Sequence, residues 1–113
     1  VARYLISFDD GAMPFAGEEL AEVAEAGMAV VREAHEAGVW VIAGGLRDHH
    51  EMSVVGTDGA VTDAPPSYKE SFLGGFAIID VPSREQALWW AAKIAAACRC
   101  AQEVREFVPD PLA

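Results

Sequence analysis

Two helical stretches, each set between short apolar runs, leave this chain few folds to choose from. From Glu18 to about Ala37, Leu20, Val23, Ala24, Val30, Val31 and Ala34 recur at helical spacing, and Gly38 ends the run. Gly27 falls at the centre of that apolar face. A glycine there costs about 1 kcal/mol against alanine, which predicts a close approach of the helix backbone to whatever it covers. The second stretch opens at Pro82-Ser83-Arg84-Glu85-Gln86, where Ser83 and Gln86 have capping-box spacing. It places Ala87, Ala91, Ile94 and Cys98 on one face, with Trp89 nearly opposite as a predicted interface contact.

Arg3–Phe8, Val39–Ala43, Gly75–Val81 and Gln102–Val108 read as strands, the last an edge or half-exposed strand. Val39–Ala43 is apolar on both faces, which predicts cover on both. Thr57-Asp58-Gly59, between Met52–Gly56 and Ala60–Thr62, is a hairpin signal. Without that hairpin insert the order is β-α-β-β-α-β. This is an α+β chain of ferredoxin-like type, with two helices on one face of an antiparallel sheet. The other face stays bare in a monomer, and a second copy of the chain is the simplest cover, so a homodimer is expected.

At 113 residues the chain is one domain, 1–113, with an ordered core expected over about 3–108. Eight basic against 18 acidic residues give a formal charge of −10, which repels phosphate backbones and disfavours nucleic acid as a partner. No apolar run approaches the roughly 18 residues of a membrane span. Cys98 and Cys100 are the only cysteines, too close for an unstrained bridge and too few for a structural zinc site. Two reduced thiols predict a cytoplasmic setting. Gly44-Gly45 and Gly74-Gly75 fit no phosphate-binding pattern and are expected to let strands bend or let a partner approach. No cofactor is predicted.

The segment from Asp63 to Phe76 packs a Pro65-Pro66 bend, a Lys69-Glu70 step and the Gly74-Gly75 pair into fourteen residues ahead of the third main strand. With Glu36-Ala37-Gly38-Val39, the Asp58-Gly59 hairpin, Glu85-Gln86-Ala87-Leu88-Trp89-Trp90-Ala91 and Glu103-Val104-Arg105, it resembles the YCII-related family, and within it the DGPF-domain branch. The resemblance spans about Tyr4 to Val108. It implies a ferredoxin-like fold paired as a dimeric α+β barrel, in small bacterial proteins, some encoded near or fused to sigma factors. Two departures limit what it transfers. Asp63-Ala64-Pro65-Pro66 stands where the branch has Asp-Gly-Pro-Phe. Gly27 and Ile94–Ala97 stand where short YCII proteins place a histidine and an aspartate, so that acid/base pair does not carry over.

The densest run of titratable groups is Asp48-His49-His50-Glu51. A histidine near neutral pH can shuttle protons, with a carboxylate setting its tautomer, so His49 and His50 are catalytic candidates together with Asp63. The plainer alternative is a solvated loop. Adjacent histidines on extended chain point to opposite sides and chelate poorly, so no metal is assigned. Asp63 precedes a bend, where it would accept backbone N–H groups or border a cleft. Tyr68 and Lys69 beside it, and Tyr4 on the first strand with Ile6 and Phe8, are candidate contacts for a small-molecule ligand. His35 is a boundary residue, of structural or interface type.

Three functions remain open. One is a small-molecule cleft that binds a ligand or performs simple acid/base chemistry, marked by polar groups converging on a pocket. The second is a non-catalytic regulatory domain associated with transcription machinery, which needs no pocket. The third is a binder of an apolar or aromatic small molecule, marked by an apolar cavity with few titratable groups.

Overall fold

The computed structural model describes residues 1–112. Strand β1 (Ala2–Asp9), helix α1 (Gly17–Glu36) and strand β2 (Trp40–Gly45) come first. A single 3-10 turn, His49–Glu51, leads to the hairpin β3 (Val54–Val55) and β4 (Val61–Thr62). Strand β5 (Leu73–Val81), helix α2 (Arg84–Cys98) and strand β6 (Glu103–Glu106) complete the chain. The four long strands form one antiparallel sheet in the order β2-β5-β1-β6, the ferredoxin-like arrangement, and β3 and β4 form a separate two-stranded ladder.

Local chemistry sets the helix ends. Ser83 accepts a hydrogen bond from the Gln86 backbone N–H at 3.3 Å, which starts α2. Ala16 stands at the N-cap of α1 with no side-chain cap, and Glu18 and Glu19 in the first turn complement the helix dipole instead. Gly38, at φ +74°, takes the left-handed position just past the end of α1. Lys93 pairs with Glu33 at 2.7 Å, and Arg99 reaches Glu19 and Glu22, so charge ties the two helices along their outer edges.

The register sorts each strand into two faces. Trp40, Ile79, Tyr4 and Glu106 form one cross-strand row beneath the helices, and Ala43, Ala77, Ile6 and Val104 form the next. Ile6, Ile79 and Val81 are fully buried at the centre of the core with Ala87, Trp90 and Ala91 of α2. Burying each of the large aliphatic ones contributes about 1.5–3 kcal/mol. On the opposite face Ile42, Ile78, Leu5 and Arg105 make a row that no helix covers.

The fold follows the sequence pattern, with one difference in detail. Within one chain β2 is an edge strand with Val41 37% and Ile42 52% exposed, and Ile42 lies on the sheet face for which a second copy is the expected cover. Close approach was expected at Gly27, yet no atom lies within 4 Å of where its side chain would begin. The helix stands away from the sheet there. Close approach occurs at Gly74-Gly75, where β1 of the same chain crowds both positions. Among the described residues, no helix is long and apolar enough to cross a membrane.

Candidate functional site

The space under Gly27 is an apolar pocket of about 490 Å³ between the helix layer and the sheet. Small residues on both sides create it. Ala24 and Gly27 of α1 face Ala43, Gly44, Gly45 and Ala77 of the sheet, so the layers meet without filling the gap. Trp40, Trp90 and Phe8 supply aromatic walls, and Ile94 and Cys98 close the α2 side. Among the described residues the lining contains no carboxylate, histidine or basic side chain, and Gln102 brings the one amide. Burial raises the pKa of the Cys98 thiol, and Cys100 raises it further.

A polar cluster lies where β1 runs out into Asp10 and β2 into the 3-10 turn. Asp10 Oδ2 accepts the backbone N–H of His49 at 2.9 Å and lies 2.8 Å from its ring Nδ1. A carboxylate only accepts, so Nδ1 carries a proton, and in the neutral ring Nε2 is the nitrogen with the free lone pair. The ring hydrogen bond, and then the backbone one, hold the Asp10 carboxyl below the usual range. His49 stacks flat on Phe72, with centroids 4.6 Å apart and planes 1° from parallel. The Asp10 backbone N–H donates to the Phe72 carbonyl at 2.7 Å, which fixes carboxylate and ring to one strand junction.

The second histidine repeats the pattern in the open. Asp48 caps the 3-10 turn. Its Oδ1 accepts the His50 backbone N–H at 2.8 Å and lies 2.7 Å from His50 Nδ1. The backbone bond, then the ring bond, depress the Asp48 carboxyl. His49 and His50 face each other at 4.1 Å between centroids. The expected extended chain does not form here. The capped turn places both rings on one side.

The remaining sequence candidates lie apart from these two. Asp63 Oδ1 accepts the Ser53 hydroxyl at 2.6 Å, which ties the base of the hairpin through a side chain where a backbone donor was expected. Tyr68 is 83% exposed. Lys69 sits 5.5 Å from the centre of the Phe72 ring that also carries His49. Tyr4 is buried, and its hydroxyl donates to Glu106 at 3.1 Å. Burial first, and that hydrogen bond second, raise its pKa. His35 is exposed, with its ring 5.6 Å from that of Trp40 between centroids.

Sequence reasoning missed Asp10 and Phe72. Asp9-Asp10-Gly11 read as a turn, which it is. Only the fold shows that β1 ends beside the loop bearing His49.

No curated protein matches the chain. Residues 3–109 match the family of YCII-related domains, nearly the whole chain, and the protein belongs to that family.

Proposed function

We propose that this YCII-related domain binds an uncharged small molecule with an aromatic or aliphatic body in the pocket between its helices and its sheet. The composition of the wall carries this reading. A volume of about 490 Å³ falls in the range of small-molecule sites, roughly 300–1,000 Å³, and the lining is almost wholly apolar. Gln102 suits one hydrogen-bonding group on the ligand. A charged ligand would lose its hydration with no counter-charge in the wall to replace it.

The alternatives fit less well. Acid/base chemistry in this pocket would need titratable wall groups, and Cys98, its pKa raised by burial, is the one described residue of that kind. A purely regulatory surface would not need a cavity. The free thiols of Cys98 and Cys100 agree with a reducing, cytoplasmic setting.

Titration with N-phenyl-1-naphthylamine, a neutral aromatic dye, tests the reading. The expected result is saturable binding of one dye per chain, with quenching of Trp emission from Trp40 and Trp90. Dye uptake that rises linearly without saturation would overturn it.

The uncovered sheet face supports pairing with a second copy. Leu5 and Ile78 lie half-covered there beside Ile42. The chain is a slab only 19 Å thick with a radius of gyration of 15.9 Å, against about 13 Å for a compact chain of this length. The net charge of −10 opposes pairing, so the dimer tightens as salt screens it. Sedimentation equilibrium should give a dimer at about 0.15 M salt and a monomer for Ile78→Glu. Wild-type chain that stays monomeric at micromolar concentration at every salt level would refute pairing.

A further inference from the structure

The cluster around His49 does not wall the pocket, and ligand binding there makes no use of it. We propose that Asp48, His49 and His50 bind a divalent transition-metal ion, with Asp10 as the positioning residue for His49. One donor atom from each of Asp48, His49 and His50 lies within 4.8 Å of the others. Ligands bonded at 2.0–2.1 Å to a single ion stand about 3–3.5 Å apart, so the three side chains must draw together on binding. The side chains that need to move are free to do so. His50 is 75% exposed and Asp48 58%, whereas His49 is only 30% exposed.

His49 is the prepared member. Its ring is held from three directions, by Asp10 on Nδ1, by Phe72 on one face and by its own backbone N–H bond to the same carboxylate. Nε2 is left as the donor. A carboxylate that takes the far N–H of a metal-bound histidine fixes the ring and strengthens the ligand. Here that hydrogen bond exists before any ion arrives. Asp48 Oδ1 is occupied by His50, which leaves Oδ2 to coordinate.

The donor set selects the ion class. Two imidazole nitrogens and one carboxylate oxygen suit Zn²⁺, Co²⁺, Ni²⁺ or Cu²⁺ better than Mg²⁺ or Ca²⁺, which favour oxygen cages. Three protein ligands leave one or more positions open to water, as in zinc sites that do chemistry. The charge of −10 raises the local concentration of cations without choosing this place for them.

Untagged protein titrated with Zn²⁺ by calorimetry, and with Co²⁺ by visible absorption, tests the site. One tight ion per chain is expected. His49→Ala and His50→Ala should each weaken it at least tenfold. Asp10→Asn should weaken it about 10–100-fold, as for other partners of metal-bound histidines. It should also shift the Co²⁺ absorption band, which a purely structural role for Asp10 would not do. Protein melted without metal controls for damage to the fold. His35→Ala removes the remaining histidine and should change nothing. Zn²⁺ binding by the His49→Ala/His50→Ala double variant equal to wild type would overturn the site, and so would an equal loss in His35→Ala.

Discussion

Gly74→Ala should destabilise the fold by about 3 kcal/mol, the upper end of what overpacking costs. At roughly 4–8 °C per kcal/mol for a domain near this size, Tm falls by about 12–24 °C. The added methyl carbon would lie 2.7 Å from Asp10 Cα and N and 2.9 Å from the Asp9 carbonyl carbon. All three are backbone atoms. They sit where the β1–β5 register shifts, and Asp10 is pinned by its 2.7 Å hydrogen bond to Phe72. No rotamer change relieves the clash, so the strands must part.

Gly75→Ala is the contrast. The atoms nearest its methyl would all belong to the Phe8 ring, the closest being Cζ at 2.5 Å. Phe8 borders the pocket, so the ring has space to swing into. The expected cost is about 1 kcal/mol, the low end for overpacking. Urea unfolding of the two variants measures the difference. Equal losses would show that backbone crowding at the end of β1 is not what position 74 excludes.

The order of elements was legible because each rests on local chemistry. The Asp58-Gly59 turn, the Ser83 cap and the left-handed Gly38 each announce themselves within four residues. The parity of Tyr4, Ile6 and Phe8 likewise placed them on one face. What was not legible depends on distance between layers. Gly27 suggested contact on the ground that a mid-helix glycine needs a reason. The same residue marks a gap, because Ala43 and Ala77 opposite it are small as well. Sequence periodicity identifies the face of a helix and carries no information about its height above a sheet.

The polar cluster shows a similar limit. His49 and His50 stood out by residue type. Their mutual geometry turned on whether the chain there was extended or turned, and Asp48 decides that by capping a single 3-10 turn. Asp10 lies 39 residues before His49, and the two meet because β1 and β2 both pair with β5. Asp63 bonds Ser53 at the hairpin and Tyr68 stands 83% exposed, so the fold brings neither of them to the His49 cluster.

Gly27→Leu should move stability and binding in opposite directions. Gly27 has no positive φ and open space beyond its Cα, so a side chain meets neither strain nor clash. Replacing a mid-helix glycine gains about 1 kcal/mol of helix propensity, and Tm rises by about 4–8 °C. The leucine side chain extends into the pocket, toward the small residues of the sheet, and fills space the ligand would use. Affinity for the neutral aromatic dye should then fall at least tenfold, about 1.4 kcal/mol. Gly27→Ala separates the two effects, since it brings the helix gain while leaving most of the pocket empty. Its Tm should rise by a similar amount with dye affinity nearly unchanged. A Gly27→Leu variant that binds dye as well as wild type would place the dye elsewhere and remove the support for a ligand between the layers. A variant with lowered Tm would mean that α1 packs closer to the sheet than a 490 Å³ opening allows.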